Sequence, residues 1–277
     1  MKKTKTTYLF IGGIFGGLLR QKLVFAYFHD LEKLLLNTHS HINTQFIQNP
    51  CWHDVESGAK LIAKKVDKLV WEYNHDVVLV AHSRGSLELL NFLNMYPKLS
   101  QHPNIKKIVF GSPLFGKSHM AELLVKYLKY VLPKGIRRAL IEVANENLHE
   151  EVKSKWQDLA DIHQDKCLLI KTSTPNKKHL PLFLRPFYKI IDKHAGENDG
   201  VLALSSQTSL LGVQETRFYS NHGAIFCNSK INRIDQVDIN DVLSFIYVKS
   251  EIKASVKKPT LRLVYSHDDN HLGEVHV

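Results

Sequence analysis

One serine stands where a buried strand is expected to meet a helix. The segment from Val77 to Leu90, VVLVAHSRGSLELL, begins as an apolar, β-branched run and then changes to helical spacing. Ser83 lies at this junction, flanked closely by Ala81 and Gly85. A tight turn needs such small neighbours, because two backbones approach each other, and it exposes the serine hydroxyl to a substrate. The pattern predicts a nucleophile, and the alternative is an ordinary helix N-cap.

A serine hydroxyl is a weak nucleophile until a base removes its proton, so a histidine and an acid are also needed. When the nucleophile sits on such a turn, these partners follow it in the order acid, then histidine. Asp199 in ENDGVLALSSQ is backed by Gly200, and His222 in FYSNHGAIF ends a later strand. We therefore predict Asp199 as the acid and His222 as the base. Glu197 and Asp192 are reserve candidates for the acid.

The same chemistry requires N–H groups directed at a developing oxyanion. One is the backbone N–H of Arg84, directly after the serine. The second is expected from the glycine turn FIGGIFGG, where backbone amides are open to a substrate, although a plain strand-to-helix connection is the alternative. The Arg84 side chain is expected either to contact an anionic substrate group or to lie at the surface. His82 is expected to point away from Ser83 and to serve packing.

Strands and helices alternate around these residues. Strands are predicted at Thr7 to Ile11 and in the segments INTQFIQ, DVVLVAH, NIKKIVFGSP, KCLLIKTST and QETRFYSNH. Helices are predicted in LLRQKLVFAYFHDLEKLLL, in DVESGAKLIAKKVDKLVWEYN, from about Ser83 to Met95 and in VDINDVLSFIYVKSEI. This alternation indicates an α/β protein whose mostly parallel sheet is flanked by helices.

Two segments interrupt the alternation. Residues 115–165 contain only helical patterns and are expected to form a cap or lid. Residues 174–196 form a second insertion, whose prolines argue against a long regular helix. Its aliphatic and aromatic residues alternate with cations, which favours contact with an anionic lipid surface, and a cap with a solvated basic rim is the equal alternative.

Taken together, these segments resemble the α/β-hydrolase superfamily, and within it the triacylglycerol lipase type. IGGIFGG is similar to the family's glycine-rich oxyanion loop, AHSRG to its serine motif, GSPLFG to a segment after the next strand, and NDGVL to its acid loop. The resemblance implies the α/β-hydrolase fold and assigns the second oxyanion N–H to Ile14. Gly12 and Leu114 depart from the histidines that the family usually has at these positions.

The expected activity is that of a serine hydrolase that cleaves carboxylic esters of acyl lipids through a Ser-His-Asp triad and an acyl-enzyme. The alternatives are a thioesterase or acyltransferase with the same triad, and a non-catalytic hydrolase-fold module that binds a membrane or a protein. A hydrophobic ester or lipid is the expected substrate, no cofactor is expected and no metal-binding residues are assigned, while calcium dependence is left open. Residues 1–256 are expected to form one domain, and residues 257–277 a tail with a hairpin.

Charge and composition restrict the partners. The formal net charge is +10 and the pI is about 9.3, which favours an anionic partner or a solubilising surface. No nucleic-acid motif is present, so nucleic acid is not expected, whereas peripheral association with an anionic membrane is. The three cysteines predict neither a disulfide framework nor a zinc site, and His267, Asp268, Asp269 and His271 are interpreted as an exposed turn.

The amino terminus imitates a secretory signal, but it is interpreted as the first strand and its functional loop, because bulky, basic residues follow it. A cytoplasmic location is therefore expected, with secretion left open. The sequence gives no indication of the oligomeric state.

Overall fold

The computed structural model describes residues 5–14, 28–38, 42–47, 53–128, 130–223 and 246. The described chain contains one six-stranded sheet, in which every pair of neighbouring strands is parallel. The strands are β1 (Thr6–Ile11), β2 (Ile42–Ile47), β3 (Asp76–His82), β4 (Ile105–Gly111), β5 (Cys167–Ser173) and β6 (Gln214–Tyr219). The spatial order is β2-β1-β3-β4-β5-β6, with β2 and β6 at the edges.

The central strands are buried on both faces. Every residue of β1 is buried, as is every residue of β3 after Asp76. Runs such as Val77 to Ala81 are apolar without alternation, which is how strands covered by helices on both faces read in a sequence. The predicted parallel sheet of an α/β protein is thereby confirmed.

The strand order changes direction beside β1. From β1 the chain passes to β2 on one side and then returns to β3 on the other side. In open parallel sheets, ligands bind outside the carboxyl ends of the strands at such a switch point. This places the glycine turn after β1 and Ser83 after β3 at the position where a site is expected.

The helices connect the strands. They are α1 (His29–Thr38), α2 (Val55–Asp67), α3 (Gly85–Met95), α4 (Pro97–Ser100), α5 (His119–Leu128), α6 (Lys134–Val143), α7 (Leu148–Gln157), α8 (Ala160–His163) and α9 (Arg185–Ala195). Asp54 caps α2, because its side chain accepts the Ser57 N–H at 2.7 Å. A π-helical turn, Lys68–Glu72, extends α2.

The first predicted helix is shorter than its apolar pattern indicates. Phe28 has a φ of 61°, in the left-handed region, so a continuous helix cannot pass through it. α1 begins at His29, and the earlier part of the predicted helix lies outside the described residues. The buried Phe28 ring stacks on Phe10 of β1 at 4.7 Å between centroids.

The segment expected to form a cap packs against the sheet and its helices. In the described part of residues 115–165 every regular element is a helix, as the pattern predicts. However, Leu148, Val152 and Trp156 of α7 belong to the same buried apolar cluster as the sheet, and α7 contacts α3. The same cluster includes Ala121 of α5 and Leu140 and Val143 of α6, so all three helices pack on the main body. A cap or lid formed by part of residues 115–165 stays a prediction. In the second insertion, α9 runs for 11 residues because Pro186 lies in its first turn, where a missing N–H costs nothing.

Several expectations concern residues outside the described part of the chain. One is the tail at 257–277, which contains His267, Asp268, Asp269 and His271. The others are Cys51, Cys227 and the last predicted helix, of which only the buried Ile246 is described. Met1–Tyr247 make up one compact unit, and a second unit, Val248–Val277, lies outside the described residues. Over the described ranges, no helix combines the length and the hydropathy needed to cross a bilayer.

Candidate active site

Ser83 lies in a strained turn directly after β3. Its φ is 57°, in the left-handed region that residues other than glycine seldom adopt. The Ser83 N–H donates to the Gly111 carbonyl at 3.0 Å, and the Ser83 carbonyl accepts the Ser86 N–H at 3.0 Å. The side chain is half-buried. A positive φ at a serine between a parallel strand and a helix is typical of a nucleophile turn.

Gly85 lets the glycine turn after β1 approach this serine. A Cβ atom at Gly85 would lie 2.7 Å from both the Gly12 and the Ile11 carbonyl oxygens. Any side chain there would therefore displace the backbone at the end of β1. The small residue predicted after the serine is required because the two turns that carry Ser83 and Ile14 pack against each other.

The two expected oxyanion donors belong to these turns. Ile14 is half-buried in the turn after β1 and is the last described residue before a gap. The Arg84 N–H has no acceptor among the described residues. The turns are adjacent, and the direction of the Ile14 N–H remains a prediction.

Asp199 and His222 form a buried pair. His222 Nδ1 lies 2.8 Å from Asp199 Oδ2, although 23 residues separate them. Asp199 is fully buried and His222 is 8% exposed. The backbone reinforces the pair, because the His222 N–H donates to the Asp199 carbonyl at 3.0 Å. A carboxylate at Nδ1 holds the proton there, which leaves Nε2 as the basic nitrogen of the ring.

The Asp199 carboxylate is fixed by four further donors. Oδ1 accepts the N–H groups of Val201 at 3.0 Å and Leu202 at 2.7 Å. Oδ2 accepts Thr172 Oγ1–H at 2.8 Å and Gln207 Nε2–H at 3.3 Å. These hydrogen bonds offset the cost of burying a charge and orient the carboxylate toward His222.

A left-handed residue makes this acid loop possible. Gly200 has a φ of 91°, which allows the chain to turn back so that the next two N–H groups reach the Asp199 carboxylate. The tight bend predicted from the Asp-Gly sequence is present.

His82 joins the serine turn to the histidine loop. Its Nε2 lies 2.8 Å from the His222 carbonyl oxygen, so Nε2 carries the proton and donates. The two rings are 4.7 Å apart between centroids. Burial holds the pKa of His82 well below its usual range, and the nearby His222 lowers it further. His82 thus has the structural role expected of it, with its ring packed against His222.

His222 contacts the residue before Ser83, and no hydrogen bond joins Ser83 to His222 among the described residues. His82, the residue before Ser83, donates a hydrogen bond to the His222 carbonyl and so holds the His222 loop beside the serine turn. The Ser83 hydroxyl has no hydrogen-bond partner among the described residues. Hydrogen bonds between a nucleophile and its base are often long without substrate and shorten in the reacting complex.

The Arg84 side chain is buried, so neither interpretation made from the sequence is correct. The residue is 2% exposed. Its guanidinium donates to Glu88 Oε1 at 2.5 Å, to Glu142 Oε2 at 3.0 Å and to the His53 carbonyl at 2.6 Å. These acceptors belong to α3, α6 and the segment before α2. Arg84 thus connects α3, which follows Ser83, to α6.

The reserve acids do not contact His222. Glu197 pairs with Arg217 at the surface and accepts a hydrogen bond from Ser173 Oγ. Asp192 is exposed on α9. Of the three candidate acids, only Asp199 is hydrogen-bonded to the predicted base. Across the described residues, no three side chains of histidine, cysteine, aspartate or glutamate are arranged to hold a metal ion.

A second serine–histidine contact lies elsewhere. Ser100 Oγ is 3.3 Å from His163 Nε2, and both residues are fully buried. Within the described part of the chain, His163 Nδ1 has no hydrogen-bond partner, so no carboxylate orients this ring. The Ser100 hydroxyl also lies against the Leu93 and Pro97 carbonyls, as a helix residue bonded to its own backbone does. This pair lacks the access and the acid that nucleophilic catalysis requires.

A cavity of about 910 Å³ lies among α2, α3, α5, α6 and α7. Six carboxylates and two lysines line it, together with apolar side chains; the charged residues are Asp54, Glu56, Glu122, Glu142, Glu146, Glu151, Lys126 and Lys155. Ser83, Asp199 and His222 are not among its lining residues. The candidate catalytic groups therefore lie outside this cavity, at the carboxyl edge of the sheet.

Comparison with known proteins identifies the fold. No protein-family model matches the chain, and no curated protein matches it in sequence. Among solved structures, a metagenomic carboxyl esterase has a TM-score of 0.64 at 17% identity, covering 88% of this chain and 71% of the other. The mature lipase BlEst2 of Bacillus licheniformis has a TM-score of 0.60 at 14% identity, covering 89% and 94%.

A third similar structure is longer. The phospholipase PlaB of Legionella pneumophila, solved with thio-NAD, has a TM-score of 0.50 at 13% identity. The similarity covers 74% of this chain and 44% of the PlaB chain. At these identities the likeness concerns the fold. The parallel sheet, its flanking helices and these similarities show that the chain has the α/β-hydrolase fold, as the motifs predicted.

Three residues of the site were not predicted from the sequence. Thr172 and Gln207 bind the Asp199 carboxylate, and His82 binds the His222 loop. The only signal for Thr172 is that a polar residue stands at the carboxyl end of a buried strand. Gln207 and His82 have no comparable signal, because their partners are distant in sequence or belong to the backbone.

Proposed function

We propose that the protein is a serine hydrolase that cleaves carboxylic esters with a hydrophobic acyl group. One observation carries the proposal: the buried Asp199–His222 pair, at 2.8 Å, is held beside the strained turn of Ser83 by the hydrogen bond from His82 to the His222 carbonyl. The esterase and lipase named among the similar structures support a carboxylic ester as the substrate class.

The proposed reaction begins with proton transfer. His222 Nε2 accepts the Ser83 hydroxyl proton as Ser83 Oγ attacks the ester carbonyl carbon. Asp199 stabilises the imidazolium through Nδ1–H, and the N–H groups of Arg84 and Ile14 are proposed to bind the oxyanion. His222 then gives the proton to the departing alkoxide, which leaves an acyl-enzyme on Ser83.

The second half of the reaction releases the acid. A water molecule loses a proton to His222 Nε2 and attacks the acyl carbonyl carbon. The bond to Ser83 Oγ breaks, and the serine oxygen recovers the proton from His222. The products are a carboxylic acid and an alcohol, and the enzyme returns to its starting state. Another nucleophile in place of water would give acyl transfer, so product analysis with a competing alcohol separates these activities.

The test is covalent labelling combined with ester hydrolysis. A fluorophosphonate should modify the wild type at Ser83, identified by peptide mass spectrometry, and Ser83→Ala should remain unlabelled. Ser83→Ala and His222→Ala should each lower kcat/KM for p-nitrophenyl esters at least about a thousandfold, and Asp199→Asn by a similar factor. The wild type should prefer medium or long acyl chains to acetate.

The second serine–histidine pair supplies a matched control. Ser100→Ala removes a serine that also contacts a histidine ring, yet we expect labelling and turnover to remain at the wild-type level. Circular dichroism establishes that each variant is folded. Retention of turnover by folded Ser83→Ala, or loss of labelling in folded Ser100→Ala, would refute the proposed nucleophile. A folded wild type that never reacts would favour a binding module instead.

A further inference from the structure

Four large apolar side chains are exposed within five positions at the end of α5. Tyr127 is 69% exposed, Leu128 40%, Tyr130 88% and Val131 81%. We call these four residues the aromatic turn. Tyr130 and Val131 are the most exposed of the large apolar residues in the described chain. A contiguous apolar patch on a soluble surface marks an interaction site more often than scattered apolar residues do.

The aromatic turn lies in a cationic segment. Between Leu123 and Arg138 the sequence has three lysines and two arginines, and no aspartate or glutamate. Lys126 and Lys134 are exposed and form no ion pair with the described residues. The Lys126 Nζ lies 5.4 Å from the centre of the Tyr127 ring. Cations beside tyrosines and aliphatic residues match the headgroup region of an anionic bilayer in both charge and polarity.

The segment extends from the sheet edge that carries the candidate site. α5 follows the loop after β4, whose end pairs with the end of β3 before Ser83. In that loop the Phe115 and Gly116 N–H groups donate to the Ser206 carbonyl, in the segment after Asp199. α5 contacts both α6 and α9. The aromatic turn is thus connected to the edge that carries the candidate site through α5 and the loop after β4.

The insertion expected to meet lipid contributes less apolar surface than its sequence indicates. Leu180 and Ile191 are buried, and Tyr188 is half-buried with its hydroxyl 3.4 Å from the Thr174 carbonyl oxygen. Leu182 is 76% exposed, and Lys189 and Lys193 are exposed on α9. The structure therefore makes the aromatic turn the more concentrated apolar surface.

We propose that the aromatic turn, with Lys126 and Lys134, docks the protein on an anionic lipid bilayer. The tyrosine rings and Val131 enter the headgroup region, where apolar burial is favourable and the phenolic hydroxyls remain hydrated. The lysines remain at the phosphate level and bind the negative surface potential. Binding requires no turnover, so the inference stands apart from the proposed ester hydrolysis.

Vesicle sedimentation measures this binding directly. The full chain is mixed with vesicles of phosphatidylcholine alone, or with about 30% phosphatidylglycerol, in about 0.1 M salt. We expect binding to the anionic vesicles and at least about tenfold weaker binding to the neutral ones. Raising the salt to about 0.5 M should weaken binding, because screening shortens the reach of the lysine charges.

Two pairs of variants separate apolar from electrostatic contributions. Tyr130→Ser with Val131→Ser should weaken binding to anionic vesicles at least about tenfold. The matched control is Trp71→Ser with Leu211→Ser. It removes two exposed apolar side chains that precede the amino ends of β3 and β6, whereas the candidate site lies at the carboxyl ends of the strands. That control should bind like the wild type.

The two pairs of charge variants each remove two lysine charges, so they lower the net charge by the same amount. Lys126→Gln with Lys134→Gln should also weaken binding about tenfold, whereas Lys33→Gln with Lys98→Gln, two exposed lysines elsewhere, should change it less than about twofold. Circular dichroism and fluorophosphonate labelling, at wild-type levels, establish that the variants are intact. Loss of labelling in the wild type would count against the proposed hydrolase and leave the vesicle result valid.

Three outcomes would overturn the docking surface. The first is equal binding of the wild type to neutral and anionic vesicles, or no binding. The second is wild-type binding by Tyr130→Ser with Val131→Ser, and the third is an equal loss in both apolar pairs. A fourth result would be that the wild type does not bind vesicles, but sedimentation velocity of the protein alone shows a dimer that Tyr130→Ser with Val131→Ser loses. The aromatic turn would then belong to an interface with a second copy.

Discussion

At the scale of single residues, His82 connects the two loops that carry the proposed nucleophile and base. It precedes Ser83 in the chain, and its Nε2–H reaches the His222 carbonyl at 2.8 Å. Burial depresses its pKa well below the usual range, so the ring stays neutral near pH 7 and adds no positive charge beside His222. His82 is a positioning residue, because it acts on the backbone of the base and touches no reacting atom.

His82→Ala should lower kcat about fivefold while KM changes less than about twofold, because a net hydrogen bond of about 1 kcal/mol that orients the base is lost. His82→Gln, which keeps an N–H donor at the end of the side chain, should recover most of the rate. Steady-state kinetics with a p-nitrophenyl ester measures both constants.

A control histidine tests whether the effect is specific. His102 contacts the Trp71 ring and lies before β4, at the edge of the sheet opposite Ser83. His102→Ala should leave kcat at the wild-type value. An unchanged kcat in folded His82→Ala, or failure of His82→Gln to exceed His82→Ala, would contradict a positioning role through this hydrogen bond.

At the scale of secondary-structure elements, Glu142 ties α6 to the body of the protein. Its Oε2 accepts from the Arg84 guanidinium at 3.0 Å, and its Oε1 accepts the Val55 N–H at 3.1 Å. The first bond reaches the start of α3, and the second satisfies an unpaired N–H in the first turn of α2. One carboxylate on α6 thus binds the starts of both α2 and α3.

Glu142→Gln should lower the free energy of unfolding by about 1–2 kcal/mol, because the nearly buried Arg84 loses one of its two carboxylate partners. The loss is smaller than for a fully broken buried pair, since Glu88 remains and Glu142 is 32% exposed. Urea unfolding followed by circular dichroism measures the change.

The matched control for this pair is a surface carboxylate of the same region. Glu146 binds Lys117 at 3.0 Å, but its side chain is 80% exposed. Glu146→Gln should cost less than about 0.5 kcal/mol, as surface pairs do. Equal losses in both variants would mean that the contacts of Glu142 contribute no more than an exposed ion pair.

The elements also show how far the sequence predicts this fold. The five-residue run before His82 is apolar at every position, and the glycines after Ile11 mark a turn, so the sheet and the serine turn follow from local patterns. Asp199 could be chosen because Gly200 permits the bend. These features depend on neighbours in sequence, so local patterns could predict them.

Other features depend on partners that are distant in sequence. Arg84 follows the serine and reads as a surface residue, yet Glu142, 58 positions later, makes its burial possible. The left-handed conformation of Phe28 is set by its ring packing on Phe10, although its neighbours have helical spacing. Tertiary contacts override local preference at both positions, so patterns in the sequence could not predict them.

At the scale of the whole molecule, stability should depend on keeping a buried histidine neutral. His163 ends α8, four residues before β5, and lies fully buried against Ser100 of α4. Burial lowers its pKa from 6.5 to about 4, and the nearby Lys166 acts in the same direction. The unfolded chain regains the ordinary pKa, so the two states bind different numbers of protons between these values.

The sign of the pH dependence follows from this difference. Between pH 6.5 and about 4 the unfolded state binds more protons, so the free energy of unfolding falls as the pH is lowered. Near pH 5, His163 alone should destabilise the protein by about 2 kcal/mol relative to pH 7. His82, whose pKa is also depressed by burial, adds a loss in the same direction. Urea unfolding at a series of pH values measures the slope.

His163→Gln should flatten this profile, because glutamine cannot gain a proton as the protein unfolds. The variant should be less stable than the wild type at pH 7, where the neutral imidazole packs well, and the difference should shrink toward pH 5. His194→Gln, an exposed histidine on α9, is the control and should leave the slope unchanged. A wild-type slope in His163→Gln would show that other groups produce the acid sensitivity, since the buried imidazole would then add nothing to the proton balance between the folded and unfolded chains.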